Sequence, residues 1–153
     1  MSLAHIHPML VHFPLVLWLC GVLLMLGTVI RGEALVANHW FPRTAFWSVL
    51  LGTLAAAVAA VFGDMALDIA SEKGFAISHL EAHEEAAFSA LWLFVAVSAC
   101  LVFVRWRNIE LKPALNWVLV LVGLAGLGVM FYAAYLGGHL VYDMGVNVSP
   151  VTP

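Results

Sequence analysis

Hydrophobic residues gather in four long runs, Phe13 to Ile30, Thr44 to Phe62, Ala86 to Val104 and Ala114 to Leu136, with polar residues between them. Each run is close to the roughly 20 residues that a helix needs to cross a hydrocarbon core of about 30 Å. A backbone in lipid must satisfy its own hydrogen bonds, so only helices or a closed barrel can span. These runs are too long and too continuously apolar for barrel strands, whose residues alternate. The pattern predicts an all-α protein, an integral membrane four-helix bundle forming one domain over residues 1–153, with helices at about 9–30, 43–63, 78–105 and 113–137. Pro14, Pro42 and Pro113 stand at the openings of the first, second and fourth, where a missing N–H costs nothing. Ser78-His79-Leu80-Glu81 has the form of a capping box for the third. The first run does not read as a cleavable signal, because no basic stretch precedes it and no small-x-small site follows a short apolar region.

The polar remainder divides by side. Arg31 and Arg43 lie between the first two helices, Arg105, Arg107 and Lys112 between the last two, and only Lys73 elsewhere. The positive-inside bias then turns that end to the cytoplasm and both termini outward, which in a bacterium means the inner membrane with periplasmic termini. Asp64, Asp68, Glu72, Glu81, Glu84, Glu85 and Asp143 fall on the outer end. With 64% hydrophobic and 10% charged residues, the chain lacks the charge, about 25% in soluble domains, that covers a water-facing surface. The bilayer is its first partner. A net charge of −3 argues against nucleic acid as another. Cys20 and Cys100 both lie in apolar runs without a Cys-x-x-Cys-His, which excludes covalent c-type haem. Small residues recur at Gly52, Ala56, Ala59 and Gly63, and at Gly123, Gly126 and Gly128, where a backbone or a flat ligand can approach closely. No long internal repeat, low-complexity run or linker suggests a second domain.

Six of seven histidines fall at the outer end. His5, His7 and His12 precede or open the first helix, His79 and His83 open the third, and His139 follows the Gly137-Gly138 pair closing the fourth. Only His39, beside Trp40, lies at the other end. The second helix brings Asp64 to the same layer, so every helix contributes one ligand-type group. Ionisable groups at the edge of a membrane bundle point by default to a site. His79 and His83, spaced i, i+4, share a helix face. His7 and His12 differ by five residues, about 140° on a helix, so one of them points elsewhere or the segment before Pro8 is not helical.

Three chemistries suit this layer. A b-type haem needs neutral imidazoles on facing helices, a slot of small residues and apolar walls. Phe13, Trp18, Phe88, Trp92, Tyr132 and Tyr135 lie near the histidines, although an interfacial aromatic belt explains several of them equally well. Three histidines plus Asp64 would also complete a zinc, copper or iron site, while His79-Leu80-Glu81-Ala82-His83 lacks the order of a His-Glu-x-x-His hydrolase. Proton or quinone chemistry would use Glu84, Glu85 and a histidine as acceptors.

The opening His7-Pro8-Met9-Leu10-Val11-His12-Phe13-Pro14, the Gly63-Asp64 pair, the His83 and Arg105 bounding the third helix, and the ending Gly137-Gly138-His139-Leu140-Val141-Tyr142-Asp143-Met144-Gly145-Val146 resemble the bacterial membrane-protein family called domain of unknown function 2231. The likeness covers nearly the whole chain. It implies a compact four-helix membrane protein, sometimes found with cytochrome or other redox modules. In the family's last motif a His precedes the Gly where this chain has Met144, leaving His139 as a substitute, Met144 as a thioether ligand, or a position that is no ligand.

The expectation is therefore a small b-type cytochrome with one haem or two, its iron held by His12 and His83. His7, His79 and His139 would serve a second haem or a proton relay with Asp64, Glu84 and Glu85. Electrons would pass between quinol and a periplasmic or membrane redox partner. The alternatives are an accessory or assembly subunit of a larger respiratory or photosynthetic complex, its Val146 to Pro153 tail with Pro150 and Pro153 lying across a partner, and a non-haem metal protein.

Overall fold

A computed structural model describes residues 5–148, apart from the side chains of Ile77 and His79; the end of the C-terminal tail, with Pro150 and Pro153, lies outside the described residues. The chain forms α1 (Ile6–Leu10), α2 (His12–Ile30), α3 (Trp40–Glu72), α4 (Ile77–Trp106) and α5 (Pro113–Tyr142), with no strand among the described residues. α1 and α2 make one rod interrupted at Val11. The cause is Pro14, which offers no N–H to the Leu10 carbonyl and crowds it with its ring. Bonds from the Val11 N–H to His7 O (3.1 Å) and from the Leu15 N–H to Val11 O (3.3 Å) persist on either side, so the break is one residue wide. The rod runs through Pro14 rather than starting at it. All four rods, beginning at Ile6, Trp40, Leu80 and Pro113, are long and apolar enough to cross a membrane.

Two rods outrun the sequence reading at the histidine end. α3 continues from 63 to Glu72 and α5 from 137 to Tyr142, so Gly137-Gly138 does not end a helix and His139 lies within one. The extensions build a second small core of Ala70, Leu80, Leu140 and Val146, with Leu67, Phe75 and Met144 against it. That burial outweighs the roughly 1 kcal/mol that each helical glycine costs. The capping-box reading is also corrected. α4 starts at Ile77 behind an extended Ala76, with no side-chain cap, so Ser78 is already inside the helix. Beyond α5 the chain turns at Gly145 (φ +68°), and the Val146 N–H reaches back to Leu140 O at 2.9 Å.

The rods alternate in direction and pack as a ring, α2 on α3, α3 on α4, α4 on α5 and α5 on α2. The main core fills the centre with Val22, Met25, Val49, Phe94, Val97 and Val120. One contact crosses the diagonal. Trp18 of α2 stacks on Phe94 of α4, ring centroids 3.8 Å apart and planes 7° apart. Glycines on the flanking helices make the space: a Cβ on Gly52 would lie 2.6 Å from Trp18 Cδ1, and one on Gly126 2.7 Å from Phe94 Cε2. The Trp18 Nε1–H donates to Thr53 Oγ1 (3.2 Å), which lies 2.9 Å from Ser98 Oγ. The buried polar groups of three helices thus satisfy one another.

These contacts repeat. Phe94 lies 76 residues after Trp18, and Gly126 lies 74 after Gly52. The turns leaving α2 and α4 match too. Gly32 and Asn108, again 76 apart, both take positive φ (73° and 50°), and the next residues return N–H bonds from Glu33 to Thr28 O and from Ile109 to Val104 O. The chain is two like helical hairpins, both running from the histidine end to the basic end and back, about an approximate two-fold axis along the bundle. The repeat lies in geometry, with Phe for Trp and Asn for Gly at matched places, which is why the sequence does not declare it.

Candidate functional site: a histidine pair on the bundle axis

His7, in the first turn of α1, and His83, two turns into α4, face each other across the mouth of the bundle. Their ring centroids are 6.3 Å apart with planes at 82°. Each is held by the next membrane-length rod in the chain. His7 Nδ1 lies 2.8 Å from the Ala59 carbonyl on α3, and His83 Nδ1 lies 2.9 Å from the Ala133 carbonyl on α5. A carbonyl oxygen only accepts, so both rings donate Nδ1–H, and a neutral imidazole then keeps its Nε2 lone pair free. Anchoring one ring nitrogen to a backbone carbonyl is how proteins orient a histidine whose other nitrogen binds a metal.

One turn past each carbonyl stands a glycine. A Cβ on Gly63 would lie 2.9 Å from His7 Cε1, and one on Gly137 3.0 Å from His83 Cε1. These positions must lack a side chain because an imidazole lies against the backbone. The small-residue rows read from the sequence thus admit side chains of neighbouring helices: Gly52 and Gly63 receive Trp18 and His7, and Gly126 and Gly137 receive Phe94 and His83. Gly128 meets nothing within 4 Å and has no such role. The histidine pair obeys the same repeat as the core, with intervals of 76 between the rings and 74 between the carbonyls and between the glycines.

The pair has a floor and a roof. Eleven residues separate His7 from Trp18 and His83 from Phe94, three helical turns or about 16 Å at 1.5 Å per residue, so the aromatic stack lies beneath the imidazoles on the same faces. Leu80, Leu140 and Val146 of the second core lie beyond them toward the chain ends. Both histidines are half-buried.

The other expected groups are placed differently. His12 opens α2 with its side chain exposed, so the structure brings His7, and not His12, opposite His83. The 140° between them is realised because the rod stays helical through Val11. His5 is exposed, as are Asp64 and Glu85, while Glu84 beside His83 is half-buried. His139 is exposed on α5 and its Nδ1 lies 2.6 Å from Asp143 Oδ2. The backbone of His79 belongs to α4; its side chain lies outside the described residues. Phe13, Phe88, Trp92, Tyr132 and Tyr135 are exposed on the bundle's outside, where they form a belt rather than walls of a site. Among the described residues, no three His, Cys, Asp or Glu side chains are grouped to hold a metal ion. Sequence reasoning missed the pairing of His7 with His83. The available signal was Ala-Ala-x-x-Gly, present once on each even-numbered span, at Ala59 to Gly63 and Ala133 to Gly137.

No curated protein and no solved structure matches the chain. A family model described as predicted membrane protein, DUF2231, matches residues 4–150, and the chain belongs to that family.

Proposed function

We propose that this DUF2231 protein is a small membrane electron carrier whose histidine pair, His7 and His83, holds the iron of a b-type haem. The observation that supports it is the pair itself: two imidazoles opposed across the bundle, each tied through Nδ1 to a carbonyl and backed by a glycine, with both Nε2 lone pairs free. The ring centroids stand 6.3 Å apart, near enough for one metal centre to take a nitrogen from each. A bare zinc ion takes three or four protein ligands, whereas haem brings ring nitrogens of its own and would ask the chain for only one or two. Two histidines are a full set for the second case and only part of one for the first.

When bound, haem supplies reversible one-electron chemistry. The chain's own part is to fix both imidazoles in the Nδ1–H form through the Ala59 and Ala133 carbonyls and hold them in register against Gly63 and Gly137. A quinol is the electron donor that suits a site at the membrane edge, and it releases protons with its electrons. Glu84, half-buried beside His83, and Asp64, next to Gly63, are the carboxylates placed to receive them. With five of the six basic residues at the other end, the site would face the periplasm of a bacterial inner membrane, within reach of a periplasmic or membrane redox partner.

The test is a reduced-minus-oxidised absorption spectrum of the full chain purified from haem-replete cells. Soret and alpha bands of a six-coordinate haem are expected. A colourless protein that elemental analysis finds free of iron overturns the reading.

A further inference from the structure

At the basic end, a groove of about 460 Å³ runs down α3 beside α2. Its α3 wall is a single helix stripe in which Trp40, the adjacent Arg43 and Thr44, Trp47 and Leu51 follow at steps of three and four. Along that stripe the chemistry changes once. The end at the loop carries Asn38, His39, Arg43 and Thr44, and the end toward the membrane centre carries Trp47, Leu51 and Leu17. Eleven residues from Trp40 to Leu51 make about 16 Å at 1.5 Å per residue, enough for a headgroup and the upper part of an acyl chain.

The charge at the polar end is settled by one carboxylate. Glu33 is paired with Arg31 (Oε1, 2.8 Å), and its Oε2 lies 2.9 Å from Nε2 of His39 in the groove wall, so the one carboxylate at this edge is matched by the Arg31 guanidinium and leaves Arg43 as the remaining charge. Among the described residues no carboxylate lies within 4.0 Å of Arg43, whose side chain is exposed. The Thr44 hydroxyl gives its hydrogen to Trp40 O (2.8 Å), while the Asn38 amide and the Arg43 fork supply donors. Trp40 stands 72% exposed at the rim, the depth at which indoles meet headgroups. A polar, cationic mouth continuous with an apolar trough, opening on the lipid side of the bundle, is complementary to an anionic amphiphile.

We propose that this groove binds one anionic phospholipid from the leaflet at the basic end. Its phosphate takes hydrogen bonds from Arg43 and Asn38, and one acyl chain lies along Trp47, Leu51 and Leu17. The site is about three helical turns long, lies at the opposite end of the bundle from the histidine pair, and does not depend on what that pair holds.

The experiment is native mass spectrometry of the full chain released from nanodiscs containing equal amounts of phosphatidylglycerol and phosphatidylcholine. Wild type is expected to retain one phosphatidylglycerol in preference to phosphatidylcholine. Arg43→Gln, a surface change that leaves the core untouched, should lower retained phosphatidylglycerol about fivefold, the value of one basic residue near an anionic lipid surface. Arg107→Gln, at the same end but outside the groove, should retain it as wild type does. Equal retention of the two lipids by wild type, or equal losses in both variants, overturns the proposal.

Discussion

Trp18 lies flat on Phe94 across the diagonal of the bundle, centroids 3.8 Å apart, and the 76 residues between them repeat the interval from His7 to His83. The stack and the histidine pair are therefore two levels of one symmetric arrangement. The rod of α1 and α2 is not a ring neighbour of α4; the two meet through these side chains, three turns below His7 and His83.

Removing the stack should loosen the whole assembly. Trp18→Ala leaves a cavity at the centre and is expected to cost about 3–5 kcal/mol. Thr53→Val, which strips the Trp18 Nε1–H of its acceptor, should cost nearer 1 kcal/mol, because hydrogen bonds inside membrane bundles are individually modest. Reversible unfolding in mixed micelles compares them. A Thr53→Val loss as large as that of Trp18→Ala would show that the polar cluster, and not the aromatic contact, holds the diagonal.

Gly63→Ala and Gly137→Ala should each push an imidazole out of place. The added methyl would stand about 2.9–3.0 Å from a ring carbon, and overpacking of this kind costs roughly 1–3 kcal/mol. Gly128→Ala adds the same methyl where nothing lies within 4 Å and should gain about 0.5–1 kcal/mol from helix propensity alone. Opposite signs at chemically identical substitutions, read by thermal unfolding in detergent, are the expected outcome.

The histidine exchange separates the two pairings. His7→Ala and His83→Ala should each abolish the six-coordinate spectrum, because the two rings occupy equivalent places. His12→Ala should leave it unchanged, since that side chain is exposed. If His12→Ala removes the bands and His7→Ala does not, the axial pair is His12 and His83, and the rod turns differently at Pro14.

The choice between His7 and His12 marks where the sequence stopped being legible. The spans were plain, because twenty apolar residues in lipid have one solution. The side of the histidines was plain as well, because polar residues collect at ends. Which histidine enters the bundle depended on a helix phase carried across Pro8 and Pro14, and on glycines whose role is defined only by the partner's ring. Gly63 and Gly137 look like packing residues from their own helices. Only the fold shows that each faces an imidazole. Gly137-Gly138 misled in the same way: read locally it stops a helix, yet burial of Leu140 and Val146 carries α5 through it.

The turn that closes the histidine end offers a last, local test. Asn147 sits at φ +58°, its Nδ2 donating to Ala66 O at 2.9 Å and its Oδ1 accepting from Lys73 Nζ at 3.2 Å. Those bonds tie the chain after α5 to the far end of α3 and hold Val146 in the roof above the histidine pair. Asn147→Gly removes the bonds and also the Cβ that crowds the left-handed region, whereas Asn147→Ala removes them and keeps that Cβ without the polar side chain that eases it, a difference of roughly 1–2 kcal/mol. The alanine variant should therefore open more readily than the glycine variant by about that amount. Hydrogen exchange at the amides of Val146 and Val148, both bonded in the folded turn, measures it. Equal exchange in the two variants would mean that the side-chain bonds alone hold the roof, and that the turn carries no backbone strain for glycine to relieve.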